Sequence, residues 1–222
     1  MFADQTREVV YAWKNRPIAF SLHGNVTPEA QYDFDTLRHE LNEISDTELI
    51  ALSSPSSAGD VRVLFSTEGH HEFIRYYRNL FKSEFGEEEF RKWDAEGAFD
   101  FPYNAANPCF GFGLYDPKEF FQGDFSKHNS PKIGLISIGN TKLRSRAEVL
   151  SCMREEMAHL ALFIPDYFVE NADESIFNIN PIDGSSDDFT QLDRELIKFL
   201  ANHEVRHLNR NDLEALYRIE ME

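Results

Sequence analysis

The chain has no long apolar segment and a shortage of basic residues, and each absence excludes a class of protein. No stretch of its 222 residues approaches the roughly 18 to 20 apolar residues that a transmembrane helix requires. Its formal net charge is −17, from 22 basic against 39 acidic residues. A surface of this charge repels phosphate backbones. The sequence therefore predicts neither a membrane-spanning protein nor a partner of nucleic acids.

Cysteine is also scarce. Cys109 and Cys152 are too few for a disulfide scaffold and lack the spacing of a CxxC motif. From the residues alone, one bridge in an oxidising compartment and two buried thiols are equally well supported. The first residues, MFADQTREVVYAWK, lack the basic and apolar regions of a signal peptide. Two expectations follow: a cytoplasmic protein, or an exported one whose leader has been removed.

The residues that are present favour one folded domain. Hydrophobic residues make up 41% of the chain and aromatic residues 14%, and there are 20 phenylalanines. This composition is typical of a globular protein with a sizeable core. We expect a single domain over residues 1–222.

Apolar periodicity and turn residues predict an α+β order of elements. Ser145 and Glu148 have the spacing of a capping box and mark a helix start. The order of strand, helix, two strands, loops, strand, helix and a mostly helical tail is typical of an α+β domain with a mixed sheet. Strands are predicted over residues 17–22, 48–52, 61–65, 109–115 and 132–138, and helices over 27–44, 70–81, 87–93, 145–163, 188–200 and from 212.

The predicted helix over residues 145–163 carries the strongest chemical signal. Zinc peptidases place HExxH on a helix because residues i and i+4 project from one face and can hold one metal ion. The intervening Glu then acts as general base on water. Here Glu155 stands at the first ligand position, Glu156 at the base position and His159 at the second ligand position. The motif is therefore EExxH.

The sequence supports two interpretations of this helix, a metal site and an ordinary pair of polar side chains. A set of Glu155, His159 and Asp166 would offset the charge of a divalent ion, so it would be a weaker Lewis acid than a three-histidine site. Its oxygen ligands would also loosen the selectivity for zinc over harder ions. The competing interpretation is an ordinary i,i+4 hydrogen-bonded pair of Glu155 and His159 on a half-exposed helix face. Taken alone, the residues favour that interpretation.

Several segments of the chain resemble a bacterial family, the domain of unknown function 2927 family. The likeness lies in residues 152–156 (CMREE), Asp166, residues 175–178 (SIFN) and the closing helix over residues 189–200. It extends more weakly upstream to Trp13. The family's helix is similar to a zincin active-site helix in which the first histidine has become glutamate. Residues 175–178 stand where metzincins place their methionine turn.

The sequence departs from the family pattern at two positions. His159 stands where members usually have Gln, and this moves the chain towards metal binding. Leu162 stands where a Gly is expected after the helix, which puts the metzincin-style turn in doubt.

The resemblance implies a zincin-like fold, with an upper part over about residues 1–163 and a C-terminal part over about 164–222. It also implies an exported or periplasmic protein, which would favour a bridge between Cys109 and Cys152. Two functions fit. One is a metal-dependent hydrolase of peptides or proteins that uses zinc or another divalent ion, with Glu155, His159 and Asp166 as ligands and Glu156 as base. The other is a catalytically degenerate, non-catalytic descendant of that fold, an exported binding or assembly module that holds no metal and whose helix serves packing, and the change of the first ligand to Glu155 favours it.

A second segment, residues 203–207 (HEVRH), matches HExxH letter for letter. Arg206 would place a cation beside the second ligand, and Asn202 and Asn209 indicate that the preceding helix is ending. We therefore predict a surface turn here and no metal site.

Overall fold

A five-stranded mixed sheet forms the centre of the computed structural model. The structure describes residues 13, 17–53, 59–67, 70–97, 99, 109–114, 131–139, 141–162 and 188–202. The strands stand in the order β2-β1-β3-β5-β4. Neighbouring strands are parallel except β4, which is antiparallel to β5. Their bounds are β1 Ile18–Gly24, β2 Ile50–Leu52, β3 Val61–Phe65, β4 Cys109–Leu114 and β5 Ile133–Ile138.

Five helices are described with this sheet, and the predicted α+β class with a mixed sheet is confirmed. None of the described helices is long and apolar enough to cross a membrane. The helix predicted from residue 212 lies outside the described residues, and so does most of the C-terminal part. The helices are α1 Pro28–Ser45, α2 His70–Phe85, α3 Glu87–Ala95, α4 Arg146–Leu162 and α5 Gln191–Asn202.

Side chains alternate between the two faces of the sheet, and helices cover both faces. Phe20, Val63 and Ile136 lie on one face, in a core that α1, α4 and α5 share. Leu64 and Leu135 lie on the other face, in a core with the aromatic side chains of α2. All six residues of β5 are buried, as expected of a strand enclosed on both faces.

Local capping explains where α1 and α4 begin. The backbone N–H of Ala30 donates to Thr27 Oγ1 at 3.1 Å, which caps α1. At α4, the N–H of Glu148 donates to Ser145 Oγ at 3.2 Å, and the N–H of Ser145 donates to Glu148 Oε2 at 2.7 Å. The Ser145 hydroxyl also donates to Glu148 Oε2 at 2.7 Å, and this bond, followed by the one from the Ser145 N–H, lowers the pKa of Glu148. The capping box predicted from the sequence is confirmed.

The face of β1 that is directed towards α2 carries polar side chains. Ser21 Oγ and His23 Nε2 are 2.9 Å apart, and the His23 ring lies 5.7 Å from the ring of Tyr76. Burial disfavours the charged imidazole, and the nearby Arg62 cation repels it. Both effects lower the pKa of His23 from its ordinary value of 6.5.

This lowered pKa predicts a loss of stability in mild acid. The unfolded chain protonates His23 near pH 6.5, before the folded protein does. The free energy of unfolding should therefore fall as the pH drops through about 6.5 towards the lower folded pKa. Urea denaturation between about pH 7.5 and 5.5 should show a steeper loss for the wild type than for His23→Asn. His39→Asn, at an exposed position on α1, is the control and should keep the wild-type slope. Equal slopes in all three proteins would contradict the assignment.

Candidate metal centre

Helix α4 is buried along most of its length. It packs on β4, β5 and α1, and from Cys152 to Leu162 every residue except Glu155 is buried. The side chain of Glu155 is 42% exposed. Solvent therefore reaches this half of the helix chiefly at Glu155.

Glu155 and His159 approach each other at this exposed position. His159 Nε2 and Glu155 Oε1 are 3.9 Å apart, and the His159 side chain is only 8% exposed. The pair thus spans the boundary between the interior and solvent, with the carboxylate on the outside. This is the i,i+4 geometry that the sequence predicts for two residues on one helix face.

The separation of the two atoms fits one metal ion after a small adjustment. Zinc binds imidazole nitrogen and carboxylate oxygen at about 2.0 to 2.2 Å, so two ligand atoms at a tetrahedral angle lie about 3.3 Å apart. The 3.9 Å observed is within a small side-chain rotation of that value. Among the described residues, no group of three His, Cys, Asp or Glu side chains could hold a metal ion. Asp166, the predicted third ligand, lies outside the described residues.

Glu156 is buried on a different side of α4, where the helix meets β4. The residue is 8% exposed. A Cβ atom at Gly111 would lie 2.5 Å from Glu156 Oε2, so the carboxylate fills the space that this glycine leaves. The candidate base is therefore packed against the strand.

A disulfide joins the same two elements. Cys109, the first residue of β4, is bonded to Cys152 of α4, with a Cα–Cα distance of 5.8 Å. Of the two alternatives that the sequence leaves open, the structure contains the bridge. Cys152 precedes Glu156 by about one helical turn, so the bridge lies next to the candidate site.

Beside the candidate site, Arg154 joins α1 and α4 and was missed by sequence reasoning. Its side chain is 8% exposed and its Nη2 lies 3.6 Å from Glu40 Oε2 and 3.1 Å from Asp188 Oδ1. Arg194 of α5 also contacts Glu40, at 2.9 Å. A buried cation of this kind is costly unless it is paired. The sequence carries no signal for this contact beyond the presence of an arginine within the predicted helix.

The C-terminal end of α4 is tied to the start of the described chain. Trp13 Nε1 donates to the carbonyl oxygen of Leu160 at 2.7 Å, and the indole is buried. Carbonyls in the last turn of a helix have no partner within the helix, so this bond satisfies one of them next to His159. Sequence reasoning gave Trp13 no role in the site.

Comparisons of the chain with protein-family models, with curated proteins and with solved structures find no match in any of the three. The likeness to the domain of unknown function 2927 family therefore stays a prediction that rests on the sequence segments. Residues 175–178 and the HExxH match at 203–207 lie outside the described residues, so both interpretations also stay predictions.

The bond between Trp13 and Leu160 yields a stability prediction. Trp13→Phe keeps an aromatic ring but removes the donor and leaves a buried carbonyl unsatisfied. The free energy of unfolding should fall by about 1–3 kcal/mol, with the urea midpoint lowered and the slope unchanged. Benzothienylalanine at position 13, which keeps the shape of the indole without its N–H, should give most of the same loss. A wild-type midpoint with benzothienylalanine would exclude a contribution from the bond.

Proposed function

We propose that the chain is a zincin-like, metal-dependent hydrolase of peptides or proteins. In this proposal Glu155 and His159 hold a divalent ion, Asp166 is the third ligand, and Glu156 is the general base. The proposal rests on the distance of 3.9 Å between Glu155 Oε1 and His159 Nε2. The pair lies where this otherwise buried part of the helix is exposed to solvent. The mixed sheet, with α4 following β5 and packed on it, supports the zincin-like assignment.

The ligand chemistry narrows the choice of metal. A divalent ion at this site would polarise a substrate carbonyl and make water easier to deprotonate. One imidazole nitrogen and carboxylate oxygens suit zinc, but they also accept harder divalent ions. The side chain of Glu155 is 42% exposed, whereas that of His159 is 8% exposed and lies in the buried part of α4. The chain thus supplies one exposed and one buried candidate ligand.

Other residues bear on the proposed general base, the cellular location and the substrate. A glutamate carboxylate has the chemistry to take a proton from water and later to return it to the leaving amine. The role proposed for Glu156 rests on its place in the motif, because its side chain packs against Gly111 of β4. The bridge between Cys109 and Cys152 supports an exported or periplasmic location, because such bonds persist in oxidising compartments. The net charge of −17 would favour basic segments of peptide or protein substrates.

A non-catalytic exported binding module is the second candidate. The same 3.9 Å separation is also that of an ordinary i,i+4 pair on a helix, and no metal is needed to explain it. The burial of α4 from Cys152 onward, with Glu155 excepted, is equally consistent with a helix that serves packing. Metal binding separates the two candidates.

The first test measures metal binding. Protein purified without chelator should contain one divalent ion per chain by elemental analysis, and the metal-free protein should bind Zn²⁺ in calorimetry. Glu155→Ala and His159→Gln should each weaken Zn²⁺ binding by more than the roughly 10- to 100-fold that loss of a supporting residue causes. Gln is chosen because it approximates the volume of the buried imidazole.

Asp35 and His39 of α1 provide the matched control. They also stand four residues apart on a helix, and His39 is exposed. His39→Ala should leave Zn²⁺ affinity unchanged. If the wild type binds no ion, or if all the variants bind equally well, the metal-dependent hydrolase is excluded and the binding module remains.

The second test separates binding from catalysis. Glu156→Gln removes the base but keeps the volume that packs against Gly111. Zn²⁺ affinity should stay within a few-fold of the wild type, whereas cleavage of fluorescein-labelled casein should fall by roughly 10²- to 10⁴-fold. Equal cleavage by the two proteins would remove Glu156 from the mechanism. Zn²⁺ binding by the wild type with no cleavage of casein or of a random peptide library would favour the module.

A further inference from the structure

Strand β4 and helix α4 make two neighbouring contacts, one through a disulfide and one through a glycine. Cys109 and Gly111 are two residues apart on a strand and therefore lie on the same face of the sheet. Cys152 and Glu156 are four residues apart on a helix and therefore lie on the same side of it. Cys109 is bonded to Cys152, and Glu156 contacts the position of Gly111.

The spacing of the two points matches between strand and helix. Two strand residues advance by about 6.6–6.8 Å, and four helical residues advance by about 6.0 Å. A covalent bond at the first point therefore brings the residues of the second point side by side. The position of the Glu156 carboxylate along β4 is set by this match.

We propose that Gly111 and the Cys109–Cys152 disulfide are positioning residues for Glu156. The bridge fixes the register between α4 and β4, and Gly111 leaves the space that the carboxylate occupies. The consequence for catalysis rests on the proposed function, but the positioning itself does not require a metal or a substrate.

Gly111 is suited to a direct test because an added methyl group should move the carboxylate and not the strand. The described glycines with positive φ are Gly24, Gly86 and Gly97, so alanine suits the backbone at position 111. Its Cβ would meet Glu156 Oε2 at 2.5 Å and Leu160 Cδ1 at 3.3 Å. Since Oε2 is the end of a flexible side chain, Gly111→Ala should displace the carboxylate while the protein still folds.

Gly134 of β5 offers the matched control. Its Cβ would meet Val61 Cγ2 at 3.0 Å, the Trp13 ring at 3.3 Å and Leu160 Cδ1 at 3.4 Å, with no contact to Glu156 among these nearest atoms. Gly134→Ala therefore adds the same methyl group beneath the same helix. It should alter stability without coupling to Glu156.

The experiment is a double-mutant cycle in the full chain, with urea unfolding as its readout. Glu156→Asp shortens the side chain by one CH₂ group and should make room for a methyl group at position 111. The double variant Gly111→Ala/Glu156→Asp should therefore be more stable than the sum of the two single effects predicts. Its unfolding equilibrium constant should be at least about fivefold smaller than the additive value. Gly134→Ala with Glu156→Asp should be additive within about twofold. Additive effects in both pairs would overturn the proposal.

The role of the bridge is tested in the same cycle. Cys109→Ala/Cys152→Ala, or wild-type protein and variants reduced with a dithiol and checked by thiol count, remove the covalent constraint. The coupling between positions 111 and 156 should then fall below about twofold. Coupling of unchanged size without the bridge would overturn the role of the disulfide.

Activity supplies a readout that a merely structural glycine would not move. With labelled casein as substrate, Gly111→Ala should lower kcat at least about tenfold while KM and Zn²⁺ affinity stay within threefold, and Gly134→Ala should keep kcat within threefold of the wild type. A loss in KM alone, or equal losses of kcat in the two glycine variants, would contradict positioning. If the wild type neither binds Zn²⁺ nor cleaves casein while the stability coupling persists, the proposed function fails and the positioning inference stands.

Discussion

The close packing of α4 on the face formed by β4 and β5 is the constraint on which the candidate site depends. Glycine at position 111 lets the helix approach, since a Cβ there would crowd Glu156 and Leu160 of α4. The disulfide from Cys109 to Cys152 then fixes the helix along the strand. Interiors are close-packed, so this approach decides which side chains of α4 face the sheet and leaves Glu155 for solvent.

Two polar groups within this packing have partners that are distant in sequence. The indole N–H of Trp13 donates to the Leu160 carbonyl. Arg154 pairs with Glu40 of α1 and with Asp188, which lies just before α5. Each bond joins segments far apart in sequence, so each forms only when the tertiary structure is complete. These contacts and the burial of the residues from Cys152 to Leu162 hold the half of α4 that carries Glu155 and His159, and Glu155 is the residue left exposed.

The sequence predicted the elements well because their causes are local. The apolar run of β5 and the capping box of Ser145 and Glu148 act within a few residues, and both are confirmed. The space at Gly111, by contrast, depends on a helix about 45 residues away. A glycine in a strand signals a close approach but does not name the partner. The sequence could place Glu155 and His159 on one helix face, whereas only coordinates show that Glu156 faces β4.

The exposure of Glu155 bears on why one fold suits both candidate functions. Structural zinc sites supply folding energy, and chains built on them unfold when the metal is removed. Here the proposed outer ligand, Glu155, has a side chain that is 42% exposed, so water reaches it whether or not an ion is bound. The stability of α4 comes from its buried contacts and the bridge. The fold of α4 is thus explained without a metal ion, so both the proposed hydrolase and the proposed binding module are compatible with this helix and sheet.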